Sequence, residues 1–278
     1  FPRELRPAFS TGILSSNYIG SALALVVIVP LILWFGWRGM FQILGIVGLV
    51  YVFFYALFVK QTKPQEETKE DKSKKNKYFM HLLKFSLIWK LILCAFCISC
   101  INKGLDAWMP TYLIAERGVN LKAVGYLTPI SFIASFLSTV VCGWVMNKYF
   151  DKKENWMIVI CAAMTAIFLY FMYNAETIMW VVIFQCGVYF FKACILGTAV
   201  AIVLKIVTGS IAGCASTLIN MGGQVAGFIS SIIMGYLFYT FNGSFNAVFY
   251  YLMVVAALCA ISALLIPTRK EDMLRIKR

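Results

Sequence analysis

Residues 178–205 read IMWVVIFQCGVYFFKACILGTAVAIVLK, an apolar run whose single charge before the closing Lys205 is Lys192. A helix needs about 20 apolar residues to cross the ~30 Å hydrocarbon of a bilayer. A soluble domain of this size has too little interior to hide a helix that is apolar all round. The stretch therefore predicts a transmembrane helix with a cation near its middle. Working outward from it, runs of the same kind occupy residues 9–33, 39–59, 87–110, 123–146, 157–174, 212–238 and 246–267, alongside 178–204 itself. They are continuously apolar, whereas the strands of a membrane β-barrel alternate. The fold class is all-α integral membrane, with eight transmembrane helices.

Composition agrees. The chain of 278 residues is 61% hydrophobic and only 13% charged, against about half apolar and a quarter charged in a soluble domain. Soluble enzymes, nucleic-acid readers and secreted disulfide scaffolds are excluded on that ground. The formal charge of +13 is a topology signal, because Lys and Arg collect in cytoplasmic loops close to the membrane. With the first run crossing outward, the inner segments hold Arg3, Arg6, the lysines from Lys60 to Lys90, Lys148, Lys152, Lys153, Lys205 and the basic tail from Arg269 to Arg278. The outer segments hold Arg38, Arg117 and Lys122. Both termini are then cytoplasmic, and no nucleic-acid partner is expected because no basic stretch carries base-stacking aromatics on a soluble domain.

The one long polar segment, KQTKPQEETKEDKSKKNKYFMHLLK at residues 60–84, reads as a solvated tether. A lipid-binding role for its lysines is the weaker alternative. It divides the chain into residues 1–59 with two helices, a linker at 60–86, residues 87–267 with six helices, and a tail at 268–278. Nine cysteines lie in or beside the apolar runs. Cys94, Cys97 and Cys100 recur every three residues, but the sole histidine, His81, lies in the tether. Structural zinc sites mix closely spaced ligand pairs with further Cys or His, so no metal and no organic cofactor is expected. Nothing resembles a nucleophile–base pair or a phosphate-cradling glycine loop, so the chain does not read as an enzyme.

Two regions echo each other. Asn17, Gly20 and Ala24 repeat as Asn220, Gly223 and Gly227, each after a basic turn and each ahead of an aromatic–Gly corner, Phe35-Gly36-Trp37 and Phe241-Asn242-Gly243. A repeat of six helices is a transporter architecture. On that reading two helices belong to a first repeat and six to a second, and four helices precede Phe1.

Here the residues carry a family resemblance. FPRELRPAFSTGILSSNYIGSALA, FGWRGMF and ILGIVGLVYVFFYALF resemble helices 5 and 6 of major facilitator transporters. AWMPTYLIAERGVNLKAVGYL resembles the end of helix 7 and the start of helix 8 in their anion:cation symporter branch. GWVMNKYF resembles the loop motif between helices 8 and 9, with Asn147 where an acid is usual. INMGGQVAGFISSIIMGYLFYTFNGSFNAVF resembles helices 11 and 12 of its sugar-acid (hexuronate) permeases. The resemblance implies a major facilitator fold of which helices 5–12 are present. It also implies ion-coupled alternating access for a small organic anion such as a hexuronate. A monomeric carrier in a bacterial inner membrane follows, with a proton or sodium ion as coupling ion. An organophosphate carrier is the alternative substrate class; a transport-inactive remnant or a membrane sensor is the alternative of another kind.

Charges inside a membrane run are costly and are functional candidates by default. Lys103 and Asp106 lie one turn apart in the third run, and Lys192 sits in the sixth. Two cations facing one cavity would favour an anion. Against this, Lys103 can pair with Asp106 at i,i+3, and Lys192 can pair with an acid of the preceding helices. Thr217, Asn220 and Gln224 share one helical face, with interhelical hydrogen bonding as their alternative role. The resemblance implies that Asn220 and, on helix 5, Asn17 contact substrate. Trp108, Pro110 and Tyr112 end the third run, where Pro110 predicts a bend serving as an outer gate, unless they are only an aromatic belt. Gly12, Ser16, Gly20 and Ala24, like Gly223 with Gly227, form small-residue ridges that predict close helix packing.

Overall fold

A computed structural model describes residues 6–58, 86–150, 153–206 and 211–266. Every regular element among these residues is helical. The first helical stretch, Arg6–Phe58, is interrupted at Gly36, whose φ of 67° and ψ of 174° are not helical. That backbone region is open in practice only to glycine. An unbroken helix of 53 residues would measure about 80 Å, far more than a bilayer accepts, and the break divides it into two arms. Its arms, residues 6–35 and 37–58, are α1 and α2. The others are α3 (Ser86–Ala115), α4 (Leu121–Tyr149), α5 (Glu154–Asn174), α6 (Ile178–Ile206), α7 (Ile211–Thr240) and α8 (Asn246–Leu264). Counting Ser15–Phe58 as one, seven helical spans among the described residues are long and apolar enough to cross a membrane.

The helices pair as α1 with α4, α4 with α6, α6 with α5, α5 with α8, and α3 with α7 and α8. Ile98, Leu105, Leu113, Ile158, Leu169 and Val188 are buried at the centre. Since lipid is as apolar as leucine, burial of apolar surface does not select these pairs; close backbone approach and interhelical hydrogen bonds do. Both devices are present. On the α3–α7 seam, a Cβ at Gly223 would come within 2.6 Å of Ser99 Oγ, one at Gly227 within 2.8 Å of Lys103 Cγ, and one at Gly104 within 2.7 Å of Met234 Sδ. On the α4–α6 seam, Ser135 Oγ donates to the Tyr189 carbonyl at 2.9 Å and Ser138 Oγ to the Phe190 carbonyl at 2.5 Å. One turn on, Cys142 Sγ donates to the Cys194 carbonyl at 3.4 Å.

Several expectations change here. The third run does not end at Pro110: α3 continues through it to Ala115. A proline removes one N–H, which leaves the carbonyl of Asp106 without its helical donor, but the rest of the turn holds. The Gly223/Gly227 ridge is a packing face as expected. The α1 ridge is not, among the described residues: Ser16, Gly20 and Ala24 are exposed, and nothing lies within 4 Å of a Cβ placed at Gly20. α1 instead meets α4 where Gly125 abuts Val29. The tether up to residue 85, the tail, and the side chains of Gly12 and Asn147 lie outside what is described.

Candidate functional site

α3 carries Lys103 and Asp106 one turn apart, but about 60° apart around the helix. The α3–α7 seam takes Lys103, whose stem lies across Gly227. Asp106 turns the other way, toward α6, where its Oδ1 accepts from Lys192 Nζ at 2.5 Å. The i,i+3 pairing of Lys103 with Asp106 is therefore not formed, and the partner of Lys192 comes from this chain's own α3, not from a preceding helix. Lys103 is exposed and has no counter-ion among the described residues.

The two members of the pair differ in access to solvent. Lys192 is 1% exposed and Asp106 34%. Lys192 thus does not line an open cavity, as the sequence suggested; the Asp106 carboxylate covers it. The Lys192 ammonium also lies 3.6 Å from the centroid of the Tyr189 ring, a cation–π contact that adds to the Coulomb term where the cation is desolvated. An intramembrane cation is tolerated when it pairs or faces the bundle interior, and Lys192 does both.

Sequence reasoning missed the groups around this pair. Tyr189 lies one turn before Lys192 on α6, and Gln185 one turn before that. The phenol oxygens of Tyr18 and Tyr189, both side-chain polar atoms of Gln185 and the Thr128 hydroxyl are buried without a hydrogen-bond partner. Tyr18 of α1 and Tyr189 of α6 both lie within electrostatic reach of Asp106. The spacing Gln185, Tyr189, Lys192 puts all three on one helical face and was the signal available. In an otherwise apolar run, Gln185 and Tyr189 read as packing.

Thr217, Asn220 and Gln224 are exposed along α7, and their face continues to Gly227, where Lys103 rests. Asn17 is exposed on α1, and its backbone carbonyl accepts from Ser21 Oγ at 3.0 Å. Trp108 meets α7 further along, its ring against Gly235, and Tyr112 packs toward α8. Tyr112 is buried with its ring edge-on to Phe245 and Phe249, at centroid distances of 5.3 and 5.0 Å, and Trp108 lies 5.8 Å from Phe238. Arg117 fixes this end by donating from Nε to the Tyr112 hydroxyl at 2.7 Å and from Nη2 to the Tyr173 carbonyl at 2.8 Å. Cys94, Cys97 and Cys100 are buried in the bundle. No group of three His, Cys, Asp or Glu among the described residues could hold a metal.

A bundle of apolar helices with an interhelical ion pair inside and a free lysine beside exposed amides is the construction of a polytopic membrane protein. The family model of the Major Facilitator Superfamily matches residues 1–230, and the chain belongs to that superfamily. It is 25% identical over 179 residues to the probable galactarate/D-glucarate transporter of Escherichia coli, covering 62% of this chain and 39% of that one. It is 25% identical over 188 residues to the probable sulfoacetate transporter of Cupriavidus necator, covering 65% and 42%. With the glycerol-3-phosphate transporter of Haemophilus influenzae it shares 30% identity over 91 residues, covering 31% and 19%. The chain thus spans less than half the length of these relatives. Among solved structures, a bacterial homologue of the human lysosomal transporter Spinster in an inward-facing, unoccupied conformation matches with a TM-score of 0.55. It is 14% identical and covers 87% of this chain and 59% of that one, a likeness of fold alone.

Proposed function

We propose that this chain supplies the anion-recognising part of a secondary carrier for a small organic anion of the sugar-acid class, working by ion-coupled alternating access. The observation that carries the reading is Lys103, an exposed membrane-embedded cation without a counter-ion, next to the Thr217–Asn220–Gln224 face of α7. A carboxylate is drawn to the lysine by charge, and amides and a hydroxyl suit the hydroxyls of a polyhydroxy chain. The likeness to galactarate/D-glucarate transporters supports that class. On this reading residues 1–59 close an N-terminal half, residues 87–267 form the C-terminal half, and the linker and tail lie in the cytoplasm of a bacterium, with the carrier acting as a monomer. The test is uptake of radiolabelled D-glucarate by proteoliposomes holding the full-length protein, with Lys103→Gln and Asn220→Ala as variants. Saturable uptake with KM raised in both supports the reading. Normal uptake by both variants overturns the site, and no uptake of D-glucarate, galactarate or sulfoacetate overturns the substrate class. Preference for glycerol 3-phosphate in the same assay would establish the organophosphate alternative, which the third relative favours.

A further inference from the structure

The ion pair between α3 and α6 is built asymmetrically. Lys192 is enclosed, with the Tyr189 ring on it, and the only anion touching it among the described residues is Asp106, one-third exposed. An external anion therefore reaches Lys192 only where the Asp106 carboxylate now sits. We propose that Asp106 is a removable counter-ion: the second carboxylate of a diacid whose first is held by Lys103 takes its place on Lys192, and a proton taken up by Asp106 accompanies each anion through the carrier. This deepens the sugar-acid reading above and rests on it.

The physical reason is a double penalty. Two carboxylates on one buried cation leave an excess negative charge in low dielectric, so the anion alone is disfavoured. A proton alone neutralises Asp106 and leaves the Lys192 ammonium buried without a counter-ion, which is disfavoured as well. With proton and anion both bound, Lys192 keeps one carboxylate and Asp106 is neutral. The step makes one O–H bond, on an Asp106 carboxylate oxygen, and breaks one in a hydronium ion of the aqueous phase, which leaves as water. The Nζ–H···Oδ1 contact is exchanged for the same contact to substrate, and release reverses both. Pro110 leaves the Asp106 carbonyl without a helical donor, so the turn carrying this carboxylate is the one able to adjust.

The other groups around Asp106 fit this role. α6 contributes Lys192 and Tyr189, α1 contributes Tyr18, and Lys103 lies one turn away on α3 itself. From α8, Tyr251 and Cys259 act on Cys100 and Cys94 instead. Lys122 and Tyr126, at the end of α4 joined to α3, are exposed, and residues 217–235 of α7 carry no ionisable side chain. The phenol of Tyr18, buried without a hydrogen-bond partner, is available as a donor to an ionised carboxylate in this space, and Tyr189 lies beside Asp106 already.

The test is D-glucarate binding to the purified full-length protein by calorimetry across a pH series. One linked proton weakens wild-type affinity by up to about tenfold for each unit of rising pH. Asp106→Asn should flatten that slope, and Asp106→Glu should keep it. If Asp106→Asn does not fold, the double variant Asp106→Asn/Lys192→Gln, which removes both charges, should fold, bind weakly and show no slope. Wild-type binding without a slope, or a slope that survives in Asp106→Asn or in the double variant, overturns the exchange while leaving the sugar-acid reading intact. Failure of the wild type to bind D-glucarate at any pH overturns the sugar-acid reading first, and the exchange with it.

Discussion

Asp106→Asn and Lys192→Met remove the same contact, yet they should not cost the same stability. Asp106→Asn strands an ammonium that is 1% exposed. Removing one partner of a buried pair costs about 3–5 kcal/mol, and the Tyr189 ring at 3.6 Å offsets about 2 kcal/mol of that in a desolvated setting. About 1–3 kcal/mol remains. Lys192→Met strands a carboxylate that is 34% exposed, so water takes over part of its solvation, and methionine refills the space. That loss is about 1 kcal/mol, the range of partly solvated pairs. Thermal unfolding of the detergent-solubilised protein, followed by tryptophan fluorescence, should place Asp106→Asn below Lys192→Met. The double variant should recover most of the loss, because no stranded charge is left. Equal losses in the single variants, or losses that simply add in the double, would refute this account of the pair.

Three further outcomes follow from the geometry. Gly227→Leu drives a side chain into the Lys103 stem, where even a Cβ comes within 2.8 Å, so it should cost about 1–3 kcal/mol of overpacking and lower the unfolding temperature, with Gly143→Leu, where space is open, as the contrasting control. Arg117→Met loses the bonds to Tyr112 and Tyr173; charge-assisted bonds are worth about 1.5–3 kcal/mol, and hydrogen exchange at residues 112–119 should rise while that of α6 stays unchanged. Gly36→Ala forces a side chain into a backbone region that costs about 1–3 kcal/mol, and reduced membrane insertion of α2, read by glycosylation mapping, should accompany it.

Much of the fold was legible because a bilayer imposes it. Each of the eight apolar runs became a helix, with ends shifted by a few residues, since continuous hydropathy of that length has few other structural outcomes. The ion pair was not legible in the same way. Asp106 and Lys192 are far apart in sequence, whereas Lys103 lies one turn from Asp106, and local spacing made the nearer partner look natural. What decided the matter was which seam each side chain enters: Gly227 opens the α7 side to Lys103, and Asp106 is left facing α6. The same ambiguity hid Tyr18 and Tyr189, since an aromatic in an apolar run reads as packing until its hydroxyl is found buried without a partner. Small residues were half informative: the ridge on α7 found its helix, and the ridge on α1 faces outward among the described residues.

The glycine seam between α3 and α7 has a consequence for selectivity. With Gly223 against Ser99 and Gly227 against Lys103, the two backbones lie too close to slide or roll without collision. The lysine on one helix and the amides on the other are thus carried on two closely packed backbones. On the proposed reading such a pair of helices would act as a ruler for the distance from a solute's charge to its hydroxyls, so that homologues differing by one carbon would be separated by length before their chemistry is compared.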